Sequence, residues 1–82
     1  MNFDFRTVPL TQLPPGGGGR VWRVLGGRGM ALRLARLGIR PGAAVRLVNA
    51  GPWRGPLLVE VEGVRVALGR GVASRILVRP LP

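Results

Sequence analysis

The chain has 82 residues, 46% of them hydrophobic, with 13 basic side chains against 3 acidic ones and a formal net charge of +10. That length accommodates one small domain, residues 1–82, and no second core, and the apolar content is too high for a disordered chain. Cysteine and histidine are absent, which argues against a disulfide framework, a thiol nucleophile, an imidazole proton shuttle and the usual ligands of zinc or iron. Every basic residue is arginine. A GC-rich genome accounts for much of the missing lysine, but the charge has physical consequences whatever its origin. Such a surface is drawn to acidic proteins, anionic membrane faces or nucleic acid.

Residues 1–7 read as a loose lead-in. They carry Asp4 and Arg6 and lack the continuous apolar run of a signal peptide. Leu10 to Leu13 has the length of one helical turn, and Pro14 to Gly19 (P-P-G-G-G-G) reads as a loop. Arg20 to Leu25 alternates as a strand, with Val21, Arg23 and Leu25 on one side and Trp22 and Val24 on the other. Trp22 is expected in the core or in edge packing.

A helix is expected over roughly Gly29 to Leu37. Met30, Leu34 and Leu37 fall at i, i+4 and i+7, one helical face. Gly38 then stops the helix, Ile39 folds back on the last turn, and Pro41-Gly42 suits the centre of a type II turn. Arg33, Arg36 and Arg40 fall on the polar side near the C-terminus, where cations interact well with the helix dipole.

Strands are expected at Ala43 to Asn49, Pro56 to Glu62, Val64 to Leu68 and Arg75 to Arg79. Their inward faces would be Val45 and Leu47; Leu57, Val59 and Val61; and Val64, Val66 and Leu68. Glu62-Gly63 reads as a two-residue hairpin turn. Gly69 to Ser74 has room for a short helical turn, weakened by Gly71. About five short strands, tight turns and one inserted helix fit a small SH3-like barrel better than a sandwich, which needs more strands.

Chemistry is sparse. Thr7, Thr11 and Ser74 are the only hydroxyl side chains, and none has a base beside it in sequence. Glu60 and Glu62 share a strand face, where acid–base work is conceivable, but pairing with Arg65 or Arg46 across strands is the plainer expectation. Three carboxylates make a poor hard-metal site. No catalytic residue, metal or cofactor is therefore expected. Arginine interrupts every apolar run short of the ~20 residues of a spanning helix, so a cytoplasmic protein is expected. Trp53, beside Arg54 in a glycine-bounded loop, suits a protein-binding hot spot or a lid on the barrel end.

The order R-L-A-R-L-G-I-R-P-G, then G-P-W-R-G-P-L-L-V-E-V-E-G, then V-A-L-G-R-G-V-A-S-R-I-L-V resembles the ferrous iron transport protein A (FeoA) family. The similarity extends upstream to P-L-T-Q-L-P-P-G and covers Pro9 to Val78. The same module is similar to the C-terminal SH3-like domain of iron-dependent repressors. The chain departs from relatives that often carry an acidic residue where it has Gly71. The resemblance implies a small, non-catalytic cytosolic accessory of FeoB, the membrane ferrous iron transporter with a cytosolic GTP-binding domain. Trp53, Arg54, Arg33, Arg36 and Arg40 are the candidate contacts, and Arg54 or Arg70 could serve as an arginine finger. A homo-oligomer is also compatible with so small a domain. The alternatives are a nucleic-acid-binding SH3-like or Sm-like module, favoured by charge but short of aromatics, and an SH3-type binder of Pro-rich peptides.

Overall fold

The computed structural model describes residues 6–51 and 55–81. Its elements run β1 (Val8–Pro9), a 3₁₀ turn (Leu10–Gln12), β2 (Gly18–Val24), α1 (Arg28–Ala35), β3 (Ala44–Ala50), β4 (Leu57–Val61), β5 (Val64–Leu68), α2 (Arg70–Ala73) and β6 (Ile76–Pro80). The strands form one sheet in the order β1-β6-β2-β3-β4-β5, and every pairing is antiparallel. The architecture is mainly β, as expected. The additional strand is the two-residue β1, which pairs through Val8 with Val78 and through Pro9 with Leu77.

Alternation puts the core where expected in the central strands. Val45 and Leu47 of β3, and Leu57, Val59 and Val61 of β4, are buried. They meet Val21, Leu34, Ile39, Ile76 and Val78 in one hydrophobic cluster. The β4–β5 turn has φ 52° at Glu62 and 77° at Gly63. Positive values at both central positions define the tight hairpin that matches strand twist. On β5 the expected inward face fades toward the start of the strand, because β5 is the sheet edge and lacks a neighbour there. Leu68 is buried and Val66 half-buried, while Val64 remains 60% exposed.

Two local readings are corrected. Gly18 and Gly19 belong to β2, not to the preceding loop. Gly19 lies where a Cβ would meet the Arg79 carbonyl oxygen at 2.8 Å, so only glycine lets β2 and β6 close at that point. Further along, the β2–β6 register shifts between Val21 and Arg23. This bulge takes up Trp22 as the extra residue and breaks the simple alternation. Val21 is buried and Val24 half-buried, while Arg23 and Trp22 both lie on the surface.

The helix ends as its punctuation predicts. The N–H of Ile39 donates to the Leu34 carbonyl at 3.0 Å, and that of Gly38 to the Ala35 carbonyl at 2.9 Å. These are the paired bonds of a Schellman motif. Gly38 has φ 88°, a left-handed conformation that costs any residue with a Cβ. Ile39 is fully buried. The next turn closes by a 2.9 Å bond from the Ala43 N–H to the Arg40 carbonyl, with φ 93° at Gly42. The apolar helix face is narrower than expected, however. Leu34 is buried and Met30 half-buried, but Leu37 is 46% exposed, because the chain leaves the helical path at the cap.

The α2 turn forms despite Gly71. The Ser74 hydroxyl donates to the Gly71 carbonyl at 2.8 Å, and an Arg75 guanidinium N–H to the same oxygen at 3.0 Å. Side chains supply the satisfaction that the weak helix former does not.

Candidate functional site

The arginines segregate into two populations. Around β3, β4 and β5 they face the carboxylates. Glu60 receives Arg46 at 3.1 Å and Arg65 at 3.8 Å, and Glu62 receives Arg40 at 3.7 Å. The cross-strand pairing of Glu60 is the one expected from register, since Glu60 lies opposite Arg46 on one side and Arg65 on the other. Both glutamates thereby stand in exposed or half-exposed ion pairs. Among the described residues no group of three or more His, Cys, Asp or Glu is placed to hold a metal ion.

On α1 the arginines lack such partners. Arg33 and Arg36 are exposed, one helical turn apart on neighbouring positions. Neither donates a side-chain hydrogen bond or meets a carboxylate among the described residues. Arg40 is brought close to the same helix end, where it donates to the Ala35 carbonyl at 3.4 Å. That contact matches the favourable position for a cation at a helix C-terminus. The structure thus brings three of the sequence-predicted site residues to one end of α1. The other two, Trp53 and Arg54, lie outside the described residues.

Arg70 has a structural post. Its guanidinium donates to the Gly51 carbonyl at 3.4 Å, and its Nε is buried without a hydrogen-bond partner among the described residues. It braces the start of the β3–β4 loop.

Sequence reasoning missed the apolar surface beside these arginines. Leu32 is 59% exposed on α1 and Trp22 is 43% exposed on β2. Together with Val24, Ile39 and Pro41 they line a groove of about 400 Å³ between the helix and the strand. A second groove of about 370 Å³, lined by Arg36, Leu37, Arg40, Glu62 and Val64, lies at the C-terminal end of the same helix. The missed signal was Leu32, an apolar residue at a helical position off the Met30–Leu34 face. This chemistry suits recognition of another surface: exposed aliphatic and aromatic anchors bordered by guanidinium groups.

A FeoA domain model matches residues 8–80. The chain belongs to the FeoA family. Among solved structures it is similar to an iron uptake regulatory protein, FeoA, at 38% identity over 94% of this chain and all of that one, with a TM-score of 0.85. It is also similar, at 36% identity, to the FeoA of Stenotrophomonas maltophilia, solved in complex with zinc (TM-score 0.72, 85% of this chain and 87% of that one). That protein is described as a prokaryotic SH3 domain protein and a candidate activating factor of bacterial ferrous iron transport. A manganese-dependent transcriptional repressor matches at 26% identity and a TM-score of 0.79, over 92% of this chain but 42% of its own. The search of curated proteins finds no match. These likenesses bear out the SH3-like fold and the relation to metal-dependent repressors. No helix among the described residues is long and apolar enough to cross a membrane.

Proposed function

We propose that this FeoA protein is a non-catalytic accessory of ferrous iron transport that docks on the cytosolic part of the membrane transporter FeoB and modulates its nucleotide-dependent switching. The observation that carries this reading is the family match over residues 8–80, joined to a relative described as a candidate transport-activating factor. The local chemistry agrees with it. The described carboxylates, Glu60 and Glu62, face arginines. What the chain offers is a basic helix end with apolar side chains beside it.

Docking would place Arg33 and Arg36 against acidic side chains of the partner, with Leu37 in contact beside them. Arg40 is already shared with Glu62 and contributes less. Trp53 and Arg54 form the second candidate contact. Arg54 and Arg70 are the two candidate arginine fingers, and Arg70 donates to the Gly51 carbonyl at 3.4 Å.

A pull-down with the FeoB cytosolic domain tests the proposal. Wild-type chain is expected to be retained, and retention should fall as salt screens the charges. Replacing both Arg33 and Arg36 by glutamine should weaken binding about tenfold, or about 1.4 kcal/mol. Trp53→Ala with Arg54→Ala should do at least as much. Unchanged binding in either variant removes that contact, and absence of wild-type retention overturns the reading.

A further inference from the structure

Building on the transporter reading, we propose that the outer edge of β5 takes up an extended acidic segment of the partner protein as an added strand. The two edges of the sheet are built differently. β1 is two residues long and contains Pro9, which makes it too short and too poor in N–H donors to template another strand. β5 runs five residues, Val64–Leu68, without proline and without a register shift against β4. Its hairpin fixes which backbone groups are already used. The two-residue turn at Glu62 and Gly63 makes Val61 and Val64 a hydrogen-bonded pair, and the pattern repeats at Val59 with Val66 and at Leu57 with Leu68. The N–H and C=O groups of Arg65 and Ala67 therefore point away from β4. β4 is the one neighbour of β5 in the sheet, and no turn or loop bond reaches Arg65 or Ala67 among the described residues. Both residues are exposed.

The space beside this edge is charged for an acidic chain. Between α1 and β5 lie two adjoining grooves, of about 370 and about 190 Å³, which share Leu37. Val64 and Val66 line the first, and Ala67 and Leu68 the second. Val64 and Leu37 are exposed apolar side chains that the fold leaves uncovered. Arg36 borders the first groove and Arg33 the second, and neither meets a carboxylate among the described residues. Glu62, in the first groove, is paired with Arg40 at 3.7 Å. Arg65 adds a cation on β5 itself; at 3.8 Å it is the more distant of the two arginines on Glu60. An incoming strand of alternating apolar and acidic residues lays one row of side chains on Leu37, Val64 and Val66, while its carboxylates meet Arg33, Arg36 and Arg65. Charge decides against a second copy of this chain, because pairing β5 with β5 brings together two molecules of net charge +10. A Pro-rich segment is unsuited as well, since it lacks the N–H groups that a ladder needs.

The test gives the isotope-labelled full chain two probes: the FeoB cytosolic domain, and a synthetic peptide E-V-E-V-E-V-E with K-V-K-V-K-V-K as its charge control. Amide hydrogen exchange reads the ladder directly. With the FeoB domain, the Arg65 and Ala67 amides should slow at least about tenfold, while Val64 and Val66, already bonded to β4, change little. The acidic peptide should give the same alternating pattern and the basic peptide none. Ala67→Pro removes an outward N–H without touching the β4 ladder, so it should keep the melting temperature yet weaken FeoB binding at least about tenfold. Ala67→Thr keeps the N–H and should bind within about twofold of wild type. If Ala67→Pro does not fold, exchange in the wild-type chain decides alone. Retention by the FeoB domain without slowing at Arg65 and Ala67 overturns strand addition and leaves the transporter reading standing. Absence of retention, with slowing by the acidic peptide, overturns the transporter reading and leaves strand addition standing. Slowing with neither probe overturns strand addition. So does slowing of the two amides with chain concentration alone, which assigns the edge to a second copy.

Discussion

The two sides of the sheet handle the same excess of arginine in opposite ways. Around β3, β4 and β5, two glutamates engage Arg46, Arg65 and Arg40, and the surface is locally compensated. On α1, Arg33 and Arg36 stand near exposed Leu32 and Leu37 and meet no carboxylate among the described residues. A net charge of +10 is therefore not spread evenly. Glu60 and Glu62 compensate one side locally, whereas Arg33 and Arg36 lack such pairing among the described residues. That contrast singles out the C-terminal end of α1 as the proposed docking surface.

The strongest way to break the comparison is to detach the segment that joins the two sides. Ile39 is fully buried, between a helix that carries Arg33 and Arg36 and the turn that sends Arg40 to Glu62. Ile39→Ala should cost about 3 kcal/mol of stability by lost burial and the cavity left behind, read by urea unfolding. A loss below about 1 kcal/mol would show that the helix end is not tied to the core.

A smaller effect is expected on the arginine-rich side alone. Gly19→Ala brings a Cβ to 2.8 Å from the Arg79 carbonyl oxygen, which is sheet backbone, and to 3.3 Å from the Val78 Cβ. The strands must part slightly, at a cost of about 2 kcal/mol, and amide exchange at Val21 and Arg79 should quicken.

The smallest effect sharpens the compensated side. Glu60→Gln removes the acceptor charge shared by Arg46 and Arg65, two largely exposed partners. Exposed ion pairs contribute little, so thermal unfolding should show a loss of about 0.5 kcal/mol. The variant should also make this side more attractive to anions, which a salt-dependent ion-exchange retention assay would register.

Much of this was legible in the chain itself. The helix stop at Gly38, the return of Ile39 and the turn at Pro41-Gly42 are local events, decided by which residues tolerate a left-handed or fixed φ. The inward faces of β3 and β4 follow from alternation, because both strands lie inside the sheet with one face buried. The pairing of Glu60 with Arg46 and Arg65 follows from the same registers. These features depend on near neighbours or on a period of two, and sequence carries both.

Other features depended on what the elements meet in space. The Trp22 bulge arises from matching β2 to β6, strands more than fifty residues apart in sequence. Gly19 matters only because the Arg79 carbonyl passes over it. Leu37 and Val64 carry core periodicity but stay exposed, one beside a helix cap and the other at a sheet edge. The sequence by itself determined the family, the strand-rich fold, the helix stop and the charge. Only the tertiary structure decided which arginines are spent on carboxylates and which stand beside Trp22 and Leu32. Burial and charge pairing are properties of three-dimensional neighbours, and periodicity along one chain does not report them.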